Sequence, residues 1–391
     1  MASVATDLIS RGLSDTSAPA NRPLRVGFSE LHGMAHELCQ FPPEGVTCSE
    51  VVGRPVRLSP IRSEIKGYMR RCESAEHDVI EAVISPIVTR NNWVYSVECM
   101  QAAMSFSLLG CPLPRSVRAA WFRRLLLQPN LKKIVFWSQA GRRTLESYAG
   151  IRDERIVRKA TVVYPAIRRV SDELIRFSDG DVQILFSGDF FRKGGVHVVE
   201  AFERAQEQYR GIRLRLCCDE KIDFSTRDAA LRDEFLGRIR RNPGIVFGRV
   251  PRDEMIRQVL PATDIYALPT YVETFGFALL EAMAFGIPVI STNHFAIPEI
   301  VEHGECGFLI DTRRFDCERL FRGYRVDAIP RGFREYMTGE VYLRLCELIE
   351  SVDLRRRLGT AGVQIARTKF SLDARNERML GIYREAVGEA A

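Results

Sequence analysis

The sequence predicts two doubly wound α/β domains that face each other across a cleft. Three observations lead there. Short apolar runs alternate with helical patterns of roughly ten to fifteen residues, which implies βαβ units on parallel sheets. The alternation occurs twice, with a polar stretch at 166–181 between the two series. The length of 391 residues is chain enough for about two to three domains.

The elements follow in order. Residues 1–22 carry Asp7, Arg11 and Asp15 among Ser, Thr, Ala and Pro. They lack the apolar core of a secretory signal and are expected to form a disordered tail. The first domain is expected over 23–168. Its strands fall at 24–28, 79–84, 93–97, 134–137 and 161–163, and its helices at 116–127 and 139–148, with Ser138 placed to cap the latter. Ser171, Asp172, Ser178, Asp179, Gly180 and Asp181 give the following stretch a linker composition. The second domain is expected over 182–368. Its strands fall at 183–186, 213–218, 245–247, 265–268, 288–290 and 308–310. Helices at 195–209, 227–240, 252–260 and 276–285 separate them. Further helices are expected near 340–350, 353–367 and 371–388. Ligands of open α/β sheets bind beyond the carboxyl ends of the strands, so two facing domains put the site between them.

Composition removes several classes. No run of 18 uncharged apolar residues occurs, so no transmembrane helix is expected. The ten cysteines are scattered without a C-x-x-C pair, which argues against a zinc ribbon or thioredoxin motif. Reduced thiols in a cytoplasmic protein are expected. Cys217 and Cys218 read as small apolar strand residues, with a redox pair as the alternative. The net charge of +6 rests mainly on arginine, since lysine occurs at only seven positions. Guanidinium suits phosphate or anionic membrane partners. No helix-turn-helix or aromatic RNA motif accompanies it, so no nucleic-acid partner is expected.

Three segments carry candidate chemistry. In 184–202 a buried strand ends at Gly188, a short loop holds Arg192 and Lys193, and Gly194 and Gly195 open a helix. Glycines allow close backbone approach, and a helix start offers N–H groups to an anion. A phosphate site and an ordinary solvated glycine turn both fit. In 264–292 a strand ends at Pro269-Thr270, Glu273 lies in a loop, and Thr274, Phe275 and Gly276 lead into a helix bearing Glu281. Both carboxylates can face one cleft and accept from paired sugar hydroxyls. The amides of Phe275, Gly276, Phe277 and Ala278 form an anion-binding start between them. The third segment, 297–310, with its turn between Gly304 and Gly307, reads as packing.

In this order and spacing the three segments resemble the C-terminal half of retaining GT-B glycosyltransferases, glycosyltransferase family 4 (glycosyl transferases group 1). The E-x7-E pattern is Glu273 and Glu281, and A-F-G-I-P-V-I-S-T followed by I-P-E-I-V-E-H-G extends the match. The resemblance is strong over 182–312, fair over 134–167 and weak over 24–130. It implies two Rossmann-like domains, an acceptor domain first and a donor-nucleotide domain second. It also implies a C-terminal helix, 369–391, that returns to the first domain.

The resemblance further implies the following roles. Lys193 neutralises the diphosphate of a UDP- or GDP-linked sugar, and Glu281 holds the ribose. Glu273 contacts the donor sugar, and the 275–278 amides with Gly194 cradle the donor. Gly248, Arg249 and Val250 lie beside the base. The family normally has an arginine where this chain has Asp189, and Arg192 is the candidate replacement cation. Gly33, His32 and Glu98 are the acceptor-side candidates. The implied activity is retaining sugar transfer to a glycan or lipid-linked acceptor in polysaccharide biosynthesis. No cofactor and no metal are expected. A catalytically weak sugar-nucleotide-binding protein is the alternative, motivated by Asp189 and the divergent first half. A nicotinamide dehydrogenase lacks its G-x-G-x-x-G. Arg115, Arg118, Arg123, Arg124, Lys132 and Lys133 beside Trp121 and Phe122 could place the chain against an anionic membrane at the inner face. A helix with its arginines in water is the alternative.

Overall fold

The computed structural model describes residues 22–31, 34–55, 70–104, 107–108, 111–112, 114–315, 330 and 332–389. The tail expected over 1–22 lies outside these residues except for Arg22, whose guanidinium is 2.6 Å from Asp78.

The first sheet is built from β1 (Leu24–Phe28), β2 (Val46–Glu50), β3 (Val79–Val83), β4 (Trp93–Val97), β5 (Leu131–Phe136) and β6 (Ala160–Val162). All are parallel, in the order β6-β5-β4-β3-β1-β2. Strands β3 and β4 are buried at every position, as a parallel sheet covered on both faces requires. Several short elements here were not expected from the sequence, a helix and an edge strand among them. Helix α1 (Met34–Gln40) and edge strand β2 are short, and β2 buries only Val46. An edge strand with one buried side chain leaves almost no apolar period to read.

Helices α2 (Arg115–Leu126) and α3 (Gln139–Ser147) flank β5. Trp93, Tyr95, Phe122 and Phe136 pack together on one side of the sheet. Val26, Phe28, Val94, Val135 and Trp137 belong to a second cluster that runs on into the other domain.

The second sheet holds β7 (Val182–Ser187), β8 (Ile212–Cys217), β9 (Ile245–Phe247), β10 (Ile265–Ala267), β11 (Val289–Thr292) and β12 (Gly307–Ile310). Its order is β9-β8-β7-β10-β11-β12, again all parallel. Chain order reverses between β7 and β10. Crevices at such a point open beyond the strand carboxyl ends, which here carry the loops after β7 and β10.

Helix α4 (Gly195–Gln206) follows β7, α5 (Ala229–Arg241) follows β8 and α6 (Phe277–Ala284) follows β10. The helix expected over 252–260 is only partly α. Residues 252–254 are α-helical, Met255–Val259 form a π turn in which the Leu260 amide donates to the Met255 carbonyl, and Leu260–Ala262 is 3-10. Pro261 has no N–H and cannot continue an α-helical ladder, which accounts for the change of pitch.

Helices α7 (Phe333–Glu350) and α8 (Val352–Thr368) complete the second domain's packing. Ser351 starts α8 by accepting from the Leu354 amide at 3.1 Å. Helix α9 (Leu372–Val387) then crosses back onto β3, β4 and β5 of the first sheet. Its Tyr383 hydroxyl donates to Glu81, a carboxylate only 1% exposed that also accepts from Ser96 at 2.5 Å. Lys133 pairs with Glu385 at 2.9 Å. The crossover and the linker zip together where the Ile167 amide donates to the Phe370 carbonyl at 2.8 Å.

Candidate functional site

The loop after β7 is shaped by glycine. Gly194 caps α4 in the left-handed conformation at φ 82°, and a Cβ there would lie 2.4 Å from the Pro269 carbonyl oxygen. Only glycine lets the loop after β7 touch the exit of β10. That contact delivers Lys193 to Glu273. The ammonium donates to Glu273 Oε2 at 2.6 Å and to the Val272 carbonyl at 3.0 Å. Both side chains are largely buried, at 22% and 13% exposed.

Arg192 takes a different direction. It is 56% exposed and lies 3.6 Å from Asp189 within its own loop. The Arg192 amide donates to the same carboxylate at 2.9 Å. Burial pushes the Asp189 carboxyl above its ordinary range, while Arg192 pulls it back.

Helix α6 begins at Gly276 with φ 114°, and no side chain caps this start. Phe275 is buried, and Phe277 and Ala278 are half-buried. Glu281 lies on the second turn, as its position in the sequence required. Its partner was not anticipated. Arg252 grips Glu281 through both terminal guanidinium nitrogens, the Nη1 contact being 2.8 Å. Arg252 opens the helical turn that follows Gly248, Arg249, Val250 and the capping Pro251. Gly248 has φ 147° and its amide donates to the Leu216 carbonyl at 3.1 Å, while Arg249 is exposed.

Tyr266 of β10 is fully buried, with its hydroxyl 2.7 Å from the Ser187 hydroxyl. Burial, with smaller contributions from Glu281 and Glu273, pushes its phenol well above its ordinary value.

Across the cleft, Trp137 of the first domain meets Phe277 edge-on at 5.9 Å. Glu98 is half-buried, and its carbonyl oxygen would be 2.0 Å from a Cβ on Gly141. His32 and Gly33 lie outside the described residues. The third segment is more than packing. Glu299 leaves its own domain to accept from the Gln139 and Ala140 amides, each at 2.7 Å.

The basic segment is only partly open. Arg118 is turned onto the Met104 carbonyl, Arg123 lies 3.1 Å from Asp153, and Lys133 holds Glu385. Among the described residues, no group of three or more His, Cys, Asp or Glu could hold a metal ion. Among them, too, no helix is long and apolar enough to cross a membrane.

Residues 170–320 match the family model described as Glycosyl transferases group 1. Two sequence relatives are similar over parts of their length. A putative colanic acid biosynthesis glycosyltransferase of Escherichia coli is 31% identical over 163 residues, covering 37% of this chain and 38% of the relative. An N-acetyl-alpha-D-glucosaminyl L-malate synthase of Bacillus anthracis is 38% identical over 60 residues, covering 15% and 16%. The chain thus matches well under half the length of these curated relatives.

Solved structures extend the likeness to almost the whole chain. A glycosyltransferase from Rickettsia africae superposes with a TM-score of 0.60 at 16% identity, covering 94% of this chain and 91% of the other. The Anabaena protein HepE, solved with UDP and glucose, gives 0.57 at 18% identity, covering 91% and 90%. The architecture is therefore GT-B, two parallel-sheet α/β domains facing across a cleft. Its second domain carries the group 1 glycosyl transferase sequence pattern.

Proposed function

We propose that the chain is a glycosyltransferase that moves a sugar, with retention of configuration, from a UDP- or GDP-linked donor to a glycan or lipid-linked acceptor. The observation that carries this reading is the meeting of Lys193 and Glu273, 80 residues apart, at the reversal point of the second sheet and beside a helix start with no side-chain cap.

In this reading negative charge grows on the departing diphosphate. Lys193 and the 275–278 amides meet that charge in a crevice poor in water. Losing one preorganised donor of this kind costs about 3–4 kcal/mol. Glu281 holds the ribose hydroxyls and shares its oxygens with, or exchanges, Arg252. Glu273 orients Lys193 and faces the donor sugar. The charge requirement is met by these groups with no metal, so turnover is expected to survive EDTA. Support from outside the chain is the match of residues 170–320 to the group 1 model and the likeness to a protein solved with UDP and glucose.

Calorimetric titration with UDP, GDP and ADP tests the reading, followed by hydrolysis and transfer assays on the sugar conjugates of the tightest binder. Binding to none of the three overturns it. A second reading, a sugar-nucleotide-binding protein with little catalysis, is favoured by Asp189. That acid occupies Arg192 next to the proposed diphosphate site. Tight binding without transfer or slow donor hydrolysis would select it. The exposed Arg115 and Arg124 leave part of α2 open for an anionic membrane surface at the cytoplasmic face. Flotation with phosphatidylglycerol vesicles tests that contact, and its absence removes it.

A further inference from the structure

The segment that read as packing in the sequence holds the two domains together. Residues Ile297–Glu299 form a 3-10 turn beyond β11. Its half-buried acid spends both carboxylate oxygens outside its own domain. Oε2 accepts from the Gln139 amide at 2.7 Å and from the Tyr164 hydroxyl at 3.0 Å, and Oε1 accepts from the Ala140 amide at 2.7 Å. The Glu299 carbonyl accepts from Lys369 at 2.7 Å. At the start of α3, Ser138 already serves the Gly141 amide at 2.9 Å. The two amides before it are therefore satisfied by the other domain. A carboxylate on helix-start amides is a charge-assisted arrangement that the helix dipole favours.

A chain of rings runs beside this contact. Lys369 lies over the Tyr164 ring at 5.1 Å, and Tyr164 meets Phe370 at 5.4 Å. Phe370 meets Phe275 at 6.1 Å, Phe275 meets Phe277 at 5.0 Å, and Phe277 meets Trp137 at 5.9 Å. Phe275 and Phe277 flank Gly276. The proposed donor cradle is thus a link in a chain anchored at both ends outside the second domain.

We propose that Glu299 is a positioning residue that holds the cleft closed through the start of α3 and so ties the 275–278 cradle to the position of the first domain. The cradle's role rests on the reading above, whereas the closure does not. Binding and closure must then favour each other by the same factor, because linkage is reciprocal.

Small-angle scattering and tryptophan emission of the full chain read the closure without turnover. The Trp137 signal is isolated by subtracting a Trp137→Phe protein. In Glu299→Ala the closed-to-open ratio falls about 10- to 100-fold, as expected for a lost charge-assisted contact. The radius of gyration rises, and Trp137 emission shifts to the red as it leaves Phe277. Glu299→Gln recovers part of both signals, since its carbonyl can still accept from one amide. Tyr164→Phe, which removes a single hydroxyl, shifts both in the same direction by a smaller factor and serves if the alanine variant fails to fold. UDP, which favours the closed state, then gives a larger Trp137 response in Glu299→Ala than in the unmodified protein, while UDP affinity falls by a smaller factor than the closed-to-open ratio.

Unchanged scattering and emission in these variants overturn the proposal. So does a loss of UDP affinity in Glu299→Ala as large as that from Lys193→Ala, because Glu299 would then be a donor ligand. Failure of the unmodified protein to bind UDP, GDP or ADP would sink the donor reading and leave the closure measurement standing.

Discussion

The two domains present unlike faces to the cleft. The second contributes charges in pairs: Lys193 with Glu273, Arg252 with Glu281, and Arg192 with Asp189. The first contributes an indole, a helix start and half-buried backbone, with Trp137 against Phe277 and the α3 amides under Glu299. The lesson is a division of labour. Charge chemistry sits on one sheet's loops, and the opposing domain supplies surface and position.

Lys193 is the position where this division of labour has the largest expected effect. Lys193→Ala is expected to lower turnover on the order of 10²–10³-fold, measured by donor hydrolysis or transfer. A loss under tenfold would mean that the second domain does not carry the charge work. Next in size is Glu281→Ala. A charge-assisted contact of about 1.5–3 kcal/mol predicts roughly 10- to 100-fold weaker nucleotide binding by calorimetry.

Acid should separate the domains by stability. His197 of α4 is fully buried between Tyr271 and Phe333, and burial lowers its pKa to about 4 from 6.5. The unfolded chain therefore binds the extra proton between those values. Stability present above pH 6.5 is lost as pH falls toward 4, at up to roughly 1.4 kcal/mol per pH unit. His197→Gln should flatten that slope in denaturant titrations of the second domain, and an unchanged slope would refute the assignment. The smallest effect is expected at Arg252. It is 61% exposed, so its pair with Glu281 contributes about 0–1 kcal/mol. Arg252→Gln should tighten UDP binding by less than about fivefold. Weaker binding instead would show that Arg252 itself contacts the nucleotide.

The same contrast explains what could be read from the chain. The second sheet's strands are apolar runs such as Ile184, Leu185 and Phe186, buried on both faces, so their positions were visible to within a residue or two. Glu273 and Glu281 stood out as acids in apolar company. The first domain hid more. Strand β2 buries one side chain, and α1 is seven residues long. Two partners at the site were missed for separate reasons. Arg252 looks like any solvated residue at a helix start. Glu299 acts on backbone amides, which carry no residue identity. Its only signal was an acid in an otherwise apolar turn. The helix expected over 252–260 already stopped short of Pro261, but the π turn at 255–259 within it left no separate mark in the sequence.

The pairing of Glu273, Glu281 and Asp189 with one base each has a kinetic corollary. Three cations and three carboxylates neutralise one another locally, so the crevice casts little field into solution. A polyanionic substrate would be captured by random encounter and then by a swap of neighbours at contact, with an association rate nearly indifferent to added salt.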